Sequence, residues 1–197
     1  YKDYRIPVVH IDRRPEHAGT LIISDNEMGG FLATEALIKD GCKDILMLSD
    51  KNYYSTTRNR YKGYVDAHKK YSLPLNEENV IKTDVSYASS YDAIKKVIAD
   101  GKKFDGIFCN NDMMALGALQ ALKDSGISVP EKCKIVGFDD MPRSEICDPP
   151  ITTIQQDTDM FGKKSVETLL NLIENNEIKN KNDIYVIPVK LVKRTTA

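Results

Sequence analysis

Residues 106–140 read GIFCNNDMMALGALQALKDSGISVPEKCKIVGFDD. The stretch opens on a short apolar run at 106–109 and continues through polar Asn110, Asn111 and Asp112. Apolar residues then recur at helical spacing up to Gly126, and a second apolar run follows at 134–138. A strand, a helix closed by glycine and another strand in so few residues read as one crossover unit, which joins parallel strands.

Working outward, the same rhythm recurs. Strands are expected at 6–11, 20–24, 44–49 and 79–83, and helices at 26–40, 58–71, 89–100 and 112–125. Gly41, Gly101 and Gly126 stand just past three of these helices, where a residue in the left-handed conformation ends the spiral. After Asp140 the alternation stops. A loop through Pro149 and Pro150 leads to a helix near 159–175 and one long final strand at 184–193. The fold class implied is α/β, with parallel sheets covered by crossover helices.

Composition narrows the function. Twenty-eight basic residues against 29 acidic ones leave a net charge of -1, so the segment has no overall electrostatic reason to hold a nucleic-acid backbone. No apolar run approaches the roughly 20 residues of a membrane helix. Cys42, Cys109, Cys133 and Cys147 lack C-x-x-C spacing and read as free thiols packed as small hydrophobes, which points to a reducing, cytoplasmic setting. His10, His17 and His68 show no metal-ligand spacing, and the chain contains no G-x-G-x-x-G, G-x-x-x-x-G-K-[ST], G-x-S-x-G or H-E-x-x-H. A binding protein without metal or cofactor is expected, rather than an enzyme.

In open parallel sheets, ligands bind beyond the carboxyl ends of the strands. Asp12 follows the first expected strand, and Asp84 with Tyr87 and Tyr91 follows the fourth. Asn110, Asn111 and Asp112 follow the fifth, Asp139 and Asp140 the sixth, and Arg58 and Arg60 open the helix after the third. Carboxylates, amides, a guanidinium and aromatics suit a sugar, whose adjacent hydroxyls offer paired donors and acceptors around an apolar ring face. Asp25, Asn26 and Asp112 stand at helix starts and read first as N-caps. Asp139 follows an apolar run, where an unpaired carboxylate is costly to bury, and reads as a ligand contact. Arg60 read locally is equally a surface ion pair. Asp139 and Asp140 are strand-exit neighbours that point in different directions and would make a poor catalytic dyad.

Several stretches together resemble the LacI family of bacterial repressors: NNDMMALGALQALKDSGISVPEKCKIVGFDD (110–140), PPITTIQQD (149–157), PVKLVKRTT (188–196), IPVVHIDR (6–13), SDNEMGGFLATEALIKDG (24–41) and RNRYKGY (58–64). The resemblance implies a periplasmic-binding-protein-like fold, two parallel-sheet lobes joined by three crossovers around an effector cleft. It implies an N-terminal lobe of 1–50 and 154–185, incomplete at its beginning, and a C-terminal lobe of 51–153 and 186–197. Carried onto matching positions, the effector contacts are Asp12, Arg60, Asn111 and Asp139, with Thr56 as a further candidate. Many relatives carry a stacking aromatic where this chain has Val85, and Tyr87 is the nearby substitute. The family further implies a sugar or sugar phosphate as allosteric effector, operator DNA bound through a headpiece outside this chain, a homodimer and control of carbohydrate utilisation. The alternatives are a sugar-binding protein of an ABC transporter, a repressor answering to a phosphoprotein corepressor and, more distantly, an enzyme acting on a sugar or phosphate substrate.

Overall fold

The computed structural model describes residues 7–13, 19–174 and 183–197. In chain order the elements are β1 (Val9–Ile11), β2 (Thr20–Ser24), α1 (Asn26–Lys39), β3 (Ile45–Asp50), α2 (Ser55–Lys70), β4 (Val80–Thr83), α3 (Tyr87–Ala99), β5 (Gly106–Cys109), α4 (Asp112–Lys123), β6 (Lys134–Asp139), α5 (Pro142–Ile146), β7 (Thr152–Gln156), α6 (Thr158–Glu174), β8 (Ile184–Ile187) and β9 (Val189–Val192). The mixed α/β class expected from the alternation is the one observed.

Two compact units result, one within Tyr1–Asp25 and Gln156–Val189, the other within Asn26–Gln155 and Lys190–Ala197. In the smaller unit, β1, β2 and β8 form a parallel sheet in that order, against which α6 packs. In the larger unit six strands run β4-β3-β5-β6-β7-β9, the first five mutually parallel.

Two boundaries differ from the sequence reading. The first division falls after Asp25 rather than near residue 50, because β3 pairs with β4 and β5 and takes α1 with it into the larger unit. The single strand expected at 184–193 is two strands in different sheets, separated by Pro188. Proline has no N–H to give a ladder, so a strand interrupted there can change sheets.

All six residues of β3 and all four of β5 are buried, as expected of strands covered on both faces. On one face Leu46, Leu48, Ile107, Cys109 and Ile135 pack with Ile94, Met114, Leu119 and Leu122 of α3 and α4. Each fully buried aliphatic chain of this kind contributes about 1.5–3 kcal/mol. Helices α1 and α2 pack together and onto strands β3, β5 and β6, and the Tyr64 hydroxyl donates to the Ile45 carbonyl at 2.9 Å. Helix α5 forms where a loop was expected, with Pro142 in its first turn, a position that needs no N–H partner. All four cysteines are free; burial pushes the Cys42 thiol up to about 12 and Cys109 and Cys133 upward too, so these three make poor nucleophiles. Among the described residues no helix is long and apolar enough to cross a membrane.

The α1–α2 pair carries a measurable pH signature. Burial alone would raise the Glu35 carboxyl. Lys70 at 2.9 Å, the Tyr71 hydroxyl at 2.7 Å and Lys39 at 3.0 Å outweigh it and hold the carboxyl down at about 2. A folded value below the ordinary 4.5 means that this stabilisation is complete above about 4.5 and disappears as pH falls toward 2. Glu35→Gln is therefore expected to flatten the stability curve between those values in urea titrations. An unchanged slope would remove Glu35 as its source.

Candidate functional site

Because β3 to β7 are parallel, the loops leaving β4, β3, β5 and β6 emerge along one edge of the larger sheet. The centre of this edge is Arg60, 5% exposed, on α2. Its Nε donates to Asn26 Oδ1 at 2.8 Å, one Nη donates to the Asn110 carbonyl, and Nη2 stands 3.7 Å from Asp139 Oδ1. The guanidinium lies 3.6 Å from the centre of the Phe138 ring, a cation–π contact that fixes its plane. The planar fork is thus oriented from four sides, the arrangement in which arginine presents bidentate donors with little further loss of freedom.

Asp139 ends β6 and Asp140 follows it, with φ of +107° and +56°, conformations that non-glycine residues rarely adopt. Their side chains part as strand neighbours should. Asp139 turns to Arg60, while Asp140 accepts from Arg194 Nη2 at 2.7 Å and from Gln155 Nε2 at 2.6 Å. The second carboxylate belongs to the frame, the first to the partly exposed edge.

Of the residues singled out from sequence, Arg60 and Asp139 are brought together, and Thr56 is buried one turn before Arg60 on the same helix. Asn111 Oδ1 accepts from the Met114 N–H at 2.9 Å and caps α4. Tyr87 opens α3 and is 40% exposed, next to the exposed Val85. Asp12 lies in the smaller unit, just past β1, with φ +67° and its N–H bonded to the Ile22 carbonyl.

Asp112 corrects the sequence reading: the cap of α4 is Asn111, and the Asp112 carboxylate turns inward with no exposure. It accepts from the Thr153 hydroxyl at 2.5 Å, the Ser144 hydroxyl at 2.7 Å and the Met141 N–H at 2.8 Å. Burial pushes it above the ordinary carboxylate range, against these hydrogen bonds. Two further residues belong to this edge, one expected only as a cap and one only as a polar strand end. Asn26 was read as a cap, yet it receives Arg60 from 34 positions along the chain. Asn110 is 5% exposed, and its Oδ1 has no hydrogen-bond partner. Strand-end position was the only signal for Asn110, and nothing local signalled Asn26.

A domain model described as periplasmic binding protein-like matches residues 34–197. The HTH-type transcriptional repressor PurR of Pasteurella multocida is 32% identical over 191 residues, which cover 96% of this chain and 57% of that protein. Among solved structures, a transcriptional regulator CelR–cellobiose complex superposes with a TM-score of 0.88 at 28% identity, covering 96% of this chain and 58% of the other. A LacI family transcriptional regulator from Enterococcus faecium with bound ribose gives 0.87 at 26%, covering 97% and 70%. The chain spans a little under three fifths of the curated relative it matches.

Proposed function

Since this chain belongs to the periplasmic-binding-protein-like domain family, in the form that LacI-type transcriptional regulators carry, we propose that it is the effector-binding core of a repressor and binds a small sugar-like molecule without turning it over. The observation that carries the reading is the guanidinium of Arg60, buried, oriented by Asn26, Asn110 and Phe138 and facing Asp139 at the carboxyl edge of a parallel sheet. A carboxylate beside an arginine fork matches the paired donor and acceptor of vicinal hydroxyls. Cellobiose and ribose bound to two structural neighbours support a carbohydrate.

In this reading Arg60 and Asp139 contact the effector first, Asn111 and Thr56 contribute polar atoms, and Tyr87 covers an apolar ring face. Binding shifts the balance between two states of the protein by no more than the effector's differential affinity for them. In the intact cytoplasmic homodimer, that balance sets the spacing of two operator-binding headpieces.

The test starts with a thermal-shift screen of the intact protein against mono- and disaccharides, their phosphates and purines, since a ligand that binds only the folded state raises the midpoint. With the hit in hand, Arg60→Ala and Asp139→Asn are each expected to weaken binding at least tenfold by calorimetry, about 1.4 kcal/mol. Unchanged affinity in both variants would remove the site from this edge.

A further inference from the structure

Asn26, Gly29 and Gly30 stand three and four residues apart and so share one face of α1. That face meets three different parts of the candidate site. Asn26 Oδ1 accepts from Arg60 Nε at 2.8 Å. A Cβ on Gly30 would run into the Arg60 carbonyl, and one on Gly29 would stand 2.5 Å from Cε2 and 2.7 Å from Cζ of the Phe138 ring. Adjacent glycines weaken a helix, yet here each leaves room for a different neighbour, Gly30 for the backbone of α2 and Gly29 for an aromatic ring.

The ring seated against Gly29 bears on both halves of the Arg60–Asp139 pair. Phe138 is fully buried, and its ring centre lies 3.6 Å from the Arg60 guanidinium carbon. The N–H bonds of a guanidinium lie in its plane, so Asn26 and the Asn110 carbonyl hold the fork along that plane while the ring bears on its face. Asp139 is the next residue of the chain, at φ +107°. Phe138 therefore acts on Arg60 through its π face and on Asp139 through the backbone. A methyl group at residue 29 needs the space that the ring edge occupies, with Ile154 Cγ2 3.2 Å away on another side. The ring would have to tilt or retreat, and the guanidinium would lose the surface on which it rests.

Resting on the reading of Arg60 and Asp139 as effector contacts, we infer that Gly29 and Phe138 are positioning residues for effector binding. Gly29 seats the ring against α1, and the seated ring sets the guanidinium plane and the end of β6 before the effector arrives. Groups fixed in advance lose little freedom on binding, so the seat raises affinity without touching the effector.

NMR of the intact protein with isotopically labelled arginine tests the seat without a ligand, the Arg60 Nε–H signal being identified by its loss in Arg60→Lys. Ring shielding acts on this proton in the parent protein. The signal is expected to move downfield in Phe138→Leu, which removes the ring, and in Gly29→Ala, which displaces it. Calorimetry with ribose, glucose, cellobiose and maltose supplies the second readout: both variants should bind the tightest of these about tenfold more weakly, as release of a stacked, desolvated guanidinium implies. Gly29→Ala should also melt at a lower temperature. The double variant Gly29→Ala/Phe138→Leu separates positioning from packing. Its smaller side chain makes room for the methyl group, so the melting midpoint should return to that of Phe138→Leu while neither the Nε–H shift nor the sugar affinity recovers. A double variant that regains affinity together with stability, or a Gly29→Ala protein whose Nε–H signal stays in place, overturns the positioning role and leaves the sugar-binding reading standing. Failure of all four sugars to bind the folded parent protein counts against the sugar-binding reading, and the Nε–H shifts then decide the seat by themselves.

Discussion

Gly63→Ala is expected to lower the melting midpoint by roughly 10 °C, the equivalent of about 3 kcal/mol for a chain of this size. A Cβ on Gly63 would stand 2.1 Å from the Glu27 carbonyl oxygen and 2.4 Å from the Phe31 nitrogen, and one on Gly30 would stand 2.1 Å from the Arg60 carbonyl oxygen. Helices α1 and α2 therefore touch backbone to backbone. Each glycine costs its helix about 1 kcal/mol relative to alanine, a sacrifice that the close approach explains. The approach also matters for the site. Arg60 sits on α2 and its Nε partner Asn26 on α1, so separating the helices by the width of a methyl group would break the 2.8 Å bond between them. The variant is expected to lose effector affinity along with stability. Gly162→Ala on α6 is the control: nothing lies within 4 Å of the added carbon, and the change should be neutral or stabilise by about 0.5–1 kcal/mol. Similar melting of the two variants would mean that α1 and α2 are not locked together.

The sequence rendered the local rhythm well and the long-range partners poorly, for a physical reason. Gly41, Gly101 and Gly126 closed helices in the expected places, with φ of +93°, +71° and +68°. Hydrophobic period and turn chemistry are properties of neighbouring residues. Which sheet β3 joins is decided by pairing with β5 some 60 residues away, so the first boundary was misplaced although the strand itself was found. Asn26 shows the same limit: as a helix-start residue it invites a capping role, and only the packing of α2 reveals that its amide receives Arg60. The need of Asp139 for a partner was legible, because burying a carboxylate after an apolar run demands one, and Arg60 stands 3.7 Å away. Asp112 was not, because one residue's uncertainty in a helix start rotates a side chain by about 100°, enough to exchange a cap for a core anchor.

Asp112→Ala is expected to cost about 3 kcal/mol and to weaken effector binding, whereas Asp112→Asn should retain most of both. The alanine leaves three donors without an acceptor in a buried place: the Met141 N–H and the hydroxyls of Ser144 and Thr153. The amide can keep its oxygen toward Met141 and Ser144 and offer an N–H to the Thr153 oxygen. The consequence for binding follows from the backbone. Asp139 and Asp140 occupy positive φ, at a cost of the order of 1–3 kcal/mol each, and persist only while their surroundings fix them. Asp112 grips the chain at Met141 and Ser144, immediately beyond them, and Arg194 with Gln155 grips Asp140 itself. Releasing the first grip lets β6 end in a relaxed conformation that withdraws Asp139 from Arg60. The pH dependence separates this role from a generic core defect. Because burial raises the Asp112 carboxyl, the folded state holds its proton more tightly than the unfolded chain, and this contribution declines as pH rises from about 3.8, opposite in sign to that of Glu35. Urea midpoints measured across that range should therefore show a shallower decline in Asp112→Asn than in the parent protein. An asparagine variant as unstable as the alanine one would show that the charge, not the hydrogen-bond geometry, holds the turn.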